Sequence, residues 1–277
     1  MNQTNEKTVK PSKVILIIID GLAWQVAHDG MGHLQGLCEA GRASLYQLEC
    51  ALPSLSRPLY ECILTGVPPV DSGIVHNDVN RLSNQQSLFH LARAAGLTTA
   101  AATYHWFSEL YNRSPYVPVR DRYTDDPALP IQHGIFYHGN DYPDDHLLVD
   151  AETLRQRHDP DFLLIHPMSL DDTGHHHGFD SHQYRNAARR VDSVLAEYIP
   201  AWLAADYQVM VTSDHGMNND CNHGGILPEE RQVPLFLAGS RFSHHPGIHA
   251  RQTEICGIAA DLLGIEHSKQ HNAGLLL

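Results

Sequence analysis

Residues 14–19, VILIII, form an unbroken aliphatic run that stops at Asp20-Gly21. A segment that is apolar at every position, not at alternate ones, suits a strand covered on both faces. At six residues it has the length of a strand and falls far short of the roughly 20 residues of a membrane span. The same pattern recurs. DFLLIH (161–166) stops before Pro167, YQVMVT (207–212) stops at Ser213-Asp214-His215, and LTTAAAT (97–103) and VPLFLA (233–238) are further strands. Between them lie stretches with helical spacing: 86–95, ending at Gly96; 183–204, with Ala, Val and Leu on one stripe; and 252–263, ending at Gly264.

Strands that alternate with helices predict an α/β fold: a mostly parallel central sheet with helices on both faces. Its binding site is expected beyond the carboxyl ends of the strands. Asp20, the 169–175 segment and Asp214-His215 each follow a strand, so three separate polar clusters are predicted to meet at one edge. The 277 residues suit a single domain over 1–277. The Pro-, Tyr-, Asp- and His-rich stretch 105–150 is too long for a simple connection and is expected to form a small cap or lid. Its Tyr104, His105, Trp106, Tyr137 and His138 neighbourhood offers a wall to a substrate, although packing is the ordinary use of such rings.

Charge narrows the function. The formal net charge is -13 with 19 basic residues and no dense basic run, which argues against binding a nucleic-acid duplex. An acidic protein that handles phosphate needs positive charge in its site, and bound divalent metals supply it. There are 21 histidines, so position must decide which of them matter. The five cysteines (38, 50, 62, 221, 256) form no CxxC pair and read as reduced thiols. With a polar N-terminus ahead of a short apolar run, these features lead to the expectation of a cytoplasmic protein without a membrane partner.

The clusters themselves carry metal chemistry. Asp171 and His175 are four apart in SLDDTGHHHG, a spacing that turns both toward one point on a helix. Asp172, His176 and His177 are adjacent, and spacing alone does not choose among them. Asp214-His215 sits at a tight strand end, and His223 follows in NHGG. Asp20 either ligates or caps the next helix. Carboxylates and imidazoles are ordinary zinc ligands, and together these residues suffice for two ions that clamp an in-line displacement.

The order VILIIIDG, PSLSRPLYECILTG, GIVHND, DDTGH, SDHGM, then HGG with VPLFLAG resembles the alkaline phosphatase superfamily, and within it the nucleotide pyrophosphatase/phosphodiesterase branch. The likeness touches nearly the whole chain outside 105–150. It implies Ser56 as nucleophile, with Pro58, Thr65 and Gly66 at the branch's spacing, and Asn77, after Gly73-Ile74, as holder of a phosphoryl oxygen. It implies Asp171, His175 and His223 on one metal, and Asp20, Asp214, His215 and the Ser56 oxygen on the other. Ser54 is a competitor two residues away. Leu59 stands where the branch has Asn, and Arg57 where it has an aromatic. Arg57 either holds a phosphate oxygen, for which guanidinium is shaped, or points to solvent. Tyr60 occupies the position where a sulfatase needs Arg.

The reaction these features predict is hydrolysis of a small phosphate ester or nucleotide-like substrate by a two-metal phosphodiesterase or nucleotide pyrophosphatase, through a phosphoryl-Ser56 intermediate. Zinc is the expected metal, and manganese or iron suits similar ligands. The alternatives are a phosphomonoesterase or phosphonate hydrolase, a phosphoryl-group transferase or mutase, and a metal-binding protein without catalysis.

Overall fold

The computed structural model describes residues 11–277. Eight strands make one sheet in the order β2-β8-β7-β1-β6-β3-β5-β4. They are β1 Lys13–Ile18, β2 Ala43–Glu49, β3 Thr99–Tyr104, β4 Tyr123–Asp125, β5 His133–Tyr137, β6 Phe162–Ile165, β7 Tyr207–Thr212 and β8 Gln232–Ala238. β7, β1, β6, β3 and β5 run parallel. β8, β2 and β4 are antiparallel to their neighbours.

The alternation of side chains along a strand divides the core between the two faces. Val14, Leu16 and Ile18 of the first run join one apolar cluster, with Tyr60, Ile63, Phe89 and Phe107. Ile15, Ile17 and Ile19 join the other, with Val191, Leu195 and Trp202 of the long helix His182–Ala204. All six residues 14–19 are fully buried, each contributing roughly 1.5–3 kcal/mol of apolar transfer free energy. The run is continuous because both of its faces are covered.

β1 lies between β7 and β6, so the residues that follow these three strands emerge side by side. That adjacency brings Asp20, His166 and Asp214-His215 together across nearly 200 residues of sequence. The 105–150 stretch differs from the cap expected of it. β5 pairs with β3 inside the sheet, β4 extends the edge, and the helix Asp144–His158 packs onto β3. The short helix Trp106–Tyr111 reaches the site, where the Trp106 ring centroid lies 4.5 Å from the Arg57 guanidinium. β8 is the strand expected at 233–238 and runs antiparallel to β7.

Candidate active site

Ser56 is the first residue of the helix Ser56–Thr65. Its Oγ lies 3.0 Å from His215 Nε2. His215 Nδ1 is 2.8 Å from the Gly216 carbonyl oxygen, which can only accept, so Nδ1 carries the proton and Nε2 is a bare lone pair. That lone pair faces oxygens: Asp214 Oδ2 at 3.2 Å and Asp20 Oδ1 at 3.4 Å. All three residues are fully buried.

The second group is built the same way. Asp171 and His175 lie on the helix Ser169–His177, with His175 Nε2 3.4 Å from Asp171 Oδ2. His175 Nδ1 meets the Cys221 carbonyl at 2.9 Å, and His223 Nδ1 meets the Ser54 carbonyl at 2.8 Å. Their Nε2 atoms therefore face each other at 3.2 Å. Asp171, His175 and His223 offer ligand atoms within 4.8 Å of one another, and so do Asp20, Asp171 and His215. Asp171 thus stands in both groups, where the family resemblance puts it in one. Gly21 makes this approach possible. Its φ is +70°, and a Cβ there would lie 2.9 Å from Asp171 Oδ1.

Residues left open by spacing separate cleanly. Asp172 and His176 pair with each other 3.7 Å apart on the exposed side of the helix, and His177 is exposed. Ser54 Oγ donates to the Gly225 carbonyl at 2.9 Å and accepts from Gly224 N at 3.0 Å. Its hydroxyl is occupied in holding the His223 loop. Asn77 Oδ1 accepts from Arg57 N at 3.0 Å, which fixes the amide orientation.

Arg57 does not point to solvent. Its guanidinium is buried, pairs with Glu109 through Nη2–Oε2 at 2.7 Å, and lies 4.5 Å from the Trp106 ring centroid. Its Nε and Nη1 have no hydrogen-bond partner.

The electrostatics of the cluster call for a cation. Burial pushes the Asp20 carboxyl up to about 7, against a hydrogen bond from Tyr60 and the charge of His175, which pull it down. Burial, then the charges of Asp20 and Asp214, push Asp171 up; burial, then Asp20, pushes Asp214 up. Burial lowers His215, and brings His166 and His223 down to about 4. Asp20 Oδ1, Asp171 Oδ1, Asp214 Oδ2 and His166 Nε2 are buried without a hydrogen-bond partner. Unpaired buried acceptors are costly, and a divalent ion satisfies carboxylates and imidazole lone pairs together. The donor set fits such an ion.

Sequence reasoning misses Tyr60, Glu109 and His166. Tyr60 donates its hydroxyl to Asp20 Oδ2. His166 ends the run DFLLIH as Asp20 ends VILIII, and that parallel is the signal the sequence offers.

The type I phosphodiesterase / nucleotide pyrophosphatase family matches residues 14–235. The human GPI ethanolamine phosphate transferase 2, catalytic subunit, is 25% identical over 99% of this chain and 29% of its own length. The corresponding transferase of Kluyveromyces lactis is 24% identical over 87% of this chain and 30% of its own length. The chain thus spans about a third of these curated relatives. Murine ectonucleotide pyrophosphatase/phosphodiesterase 5 shares the fold with a TM-score of 0.74 at 15% identity, covering 94% of this chain and 97% of that one. The C-terminal periplasmic domain of EcEptC from Escherichia coli, in complex with Zn, does so with a TM-score of 0.67 at 15% identity, over 94% and 85%.

These relatives overturn the cytoplasmic expectation: one solved neighbour is a periplasmic domain and the curated ones are named for GPI. The thiols are a poor guide. All five are free in this structure, with Cys50, Cys62 and Cys256 buried and Cys38 and Cys221 half-buried, and buried free thiols are not tied to one compartment. The expectation of no membrane partner is likewise withdrawn. Among the described residues no helix is long and apolar enough to cross a membrane, which does not bear on contact with a lipid headgroup.

Proposed function

The chain belongs to the type I phosphodiesterase / nucleotide pyrophosphatase family of the alkaline phosphatase superfamily, and from that footing we propose that it is a metal-dependent transferase that moves a substituted phosphoryl group of the ethanolamine-phosphate kind to an alcohol. The observation that carries the phosphoryl chemistry is the Ser56 Oγ held 3.0 Å from a bare imidazole lone pair among carboxylates. The choice of transfer over the hydrolysis expected from sequence is supported by the curated relatives, which are ethanolamine phosphate transferases by name.

Asp171, His175 and His223 would hold one divalent ion, and Asp20, Asp214 and His215 a second; zinc suits these donors. When bound, such ions supply positive charge that favours the ionised serine oxygen and offsets charge on the phosphoryl oxygens. Ser56 Oγ bonds to phosphorus, the bond from phosphorus to the donor's alcohol oxygen breaks, and the serine proton leaves with that alcohol. The acceptor's hydroxyl oxygen then bonds to phosphorus, the phosphorus–Oγ bond breaks, and Ser56 regains a proton. Asn77, with Oδ1 fixed by Arg57 N, presents its Nδ2 hydrogens to a phosphoryl oxygen. Arg57 presents the unpartnered Nε and Nη1 to the same anion. Helix Ser56–Thr65 adds its amino-terminal dipole.

The test uses a short-chain phosphatidylethanolamine with metal-loaded protein, with and without a simple alcohol acceptor. A new acceptor phosphodiester, lost in Ser56→Ala, is expected. Free ethanolamine phosphate alone, even at high acceptor concentration, would return the chain to the hydrolase reading that its family match also favours.

A further inference from the structure

His166 follows β6 and is fully buried, against the edge of Tyr60 at 4.7 Å and beside Phe107 at 4.9 Å between ring centroids. Its protonation is set by Tyr137. The Tyr137 hydroxyl donates to the His166 carbonyl oxygen at 2.6 Å. Having spent its one hydrogen, the same oxygen meets His166 Nδ1 at 3.1 Å as an acceptor. Nδ1 therefore carries the ring proton, and Nε2 is a lone pair.

That lone pair has no hydrogen-bond partner, and Asp20 Oδ2 lies 3.2 Å away. Two electron-rich atoms side by side in a dry interior repel unless a proton or a metal cation lies between them, and an ion that displaces the Asp20 proton takes that place. Their separation is also informative. Donors bonded to one zinc at about 2.0–2.1 Å in tetrahedral array lie roughly 3.3–3.4 Å apart. The His215 Nε2 distances to Asp214 and Asp20, 3.2 and 3.4 Å, have the same character.

His175, His215 and His223 each place Nδ1 on a backbone carbonyl oxygen, which leaves Nε2 free. An Nδ1 pinned by an oxygen is the usual outer-shell support of a metal-ligating histidine. His166 has that support from Tyr137 and the same bare Nε2, yet the family resemblance does not place it among the ligands. We propose that His166 is a further ligand of this centre, its Nε2 holding, together with Asp20, a divalent cation. The proposal rests on the metal-dependent reading above and adds a residue to it. Tyr137 then acts as a positioning residue, fixing which nitrogen is presented.

The test counts histidines on the whole chain. With ¹⁵N-labelled histidine and ¹¹³Cd as the probe ion, four ring Nε2 atoms should show direct cadmium–nitrogen coupling: those of His166, His175, His215 and His223. Three coupled rings, with His166 uncoupled or carrying a proton on Nε2, would overturn it. A companion measurement is zinc affinity by competition with a chelator. His166→Gln should weaken the ion by tenfold or more, whereas unchanged affinity and stoichiometry would count against the ligand. The cadmium spectrum needs no variant, so a poorly folding His166→Gln does not remove the test. A chain that binds no cadmium defeats the metal-dependent reading itself. One that binds it and transfers phosphoryl groups with only three coupled rings defeats this inference alone.

Discussion

Ser56 Oγ and His215 Nε2 lie 3.0 Å apart, and because His215 Nδ1 is bound to the Gly216 carbonyl, the hydrogen between them belongs to the serine. In the ion-free protein Ser56 is therefore a donor to that nitrogen, and an ion on His215 Nε2 takes the lone pair that accepts its hydrogen. Ser56→Ala removes the attacking atom and leaves every carboxylate and imidazole ligand of the cluster in place. Turnover should fall by about 10⁴-fold or more, in keeping with the loss of a nucleophile elsewhere, while metal content stays unchanged. Steady-state rates with parallel metal analysis would check this. A variant that keeps a tenth of the wild-type rate would remove Ser56 from the role.

Much of this arrangement is legible in the amino-acid sequence, and the reason is physical. VILIII, DFLLIH and YQVMVT are buried on both faces, so they show as continuous apolar runs, and the polar residues closing each run mark the site edge. β2 carries no such signal. It is an edge strand with only Ala43, Tyr46 and Leu48 buried. β5 (HGIFY) is hidden in a Pro-rich stretch, and the antiparallel direction of β8 has no local code. His166 escapes notice because the atoms that give it meaning, Tyr137 Oη and Asp20 Oδ2, are 29 and 146 residues away in sequence.

Metal affinity should rise with pH, and the carboxyls should set the slope. In the ion-free protein burial pushes Asp20 up to about 7, so below that pH a proton must be displaced before the ion binds. His166 and His223, brought down to about 4 by burial, carry no proton to release near neutrality. Each displaced proton makes apparent affinity rise about tenfold per pH unit, with the rise flattening above about pH 7 as far as Asp20 contributes. For folding, the sign is opposite. A raised carboxyl binds its proton more tightly in the folded state, so Asp20's contribution is present at low pH and is lost as pH rises from about 4 through 7. Competition titrations between pH 5 and 8, with melting curves of ion-free protein, measure both. Affinity that is flat across that range would contradict the account.

Gly21→Ala tests the closeness of the two ion groups. The φ of +70° costs a non-glycine residue roughly 1–2 kcal/mol, and the new Cβ would press on Asp171 Oδ1 from 2.9 Å. Gly21 N also donates to Asp214 Oδ1 at 3.1 Å, so a shifted backbone disturbs a second carboxylate. Both stability and ion retention should drop. The difference in melting temperature with and without zinc separates the two, and an unchanged difference would show that Asp171 tolerates displacement.

The buried pair Arg57–Glu109 has a structural and a substrate-binding role that can be pulled apart. The two side chains are 3% and 6% exposed, and Glu109 Oε1 also accepts from Tyr116 N at 3.0 Å. Removing one partner leaves an uncompensated charge in the interior. Arg57→Gln alone should therefore destabilise the chain by about 3–5 kcal/mol, besides raising KM for an anionic ester. The neutral pair Arg57→Gln with Glu109→Gln has no stranded charge and keeps two side chains able to hydrogen-bond. It should recover most of the lost stability, because replacing a whole buried pair is far cheaper than breaking it. It should not recover KM, because the guanidinium donors Nε and Nη1, unpartnered in this structure, are still gone. Melting curves and initial rates over a substrate range on the two variants decide the matter. If the double variant regains wild-type KM as well as stability, Arg57 serves the fold and the phosphoryl group is held by other residues.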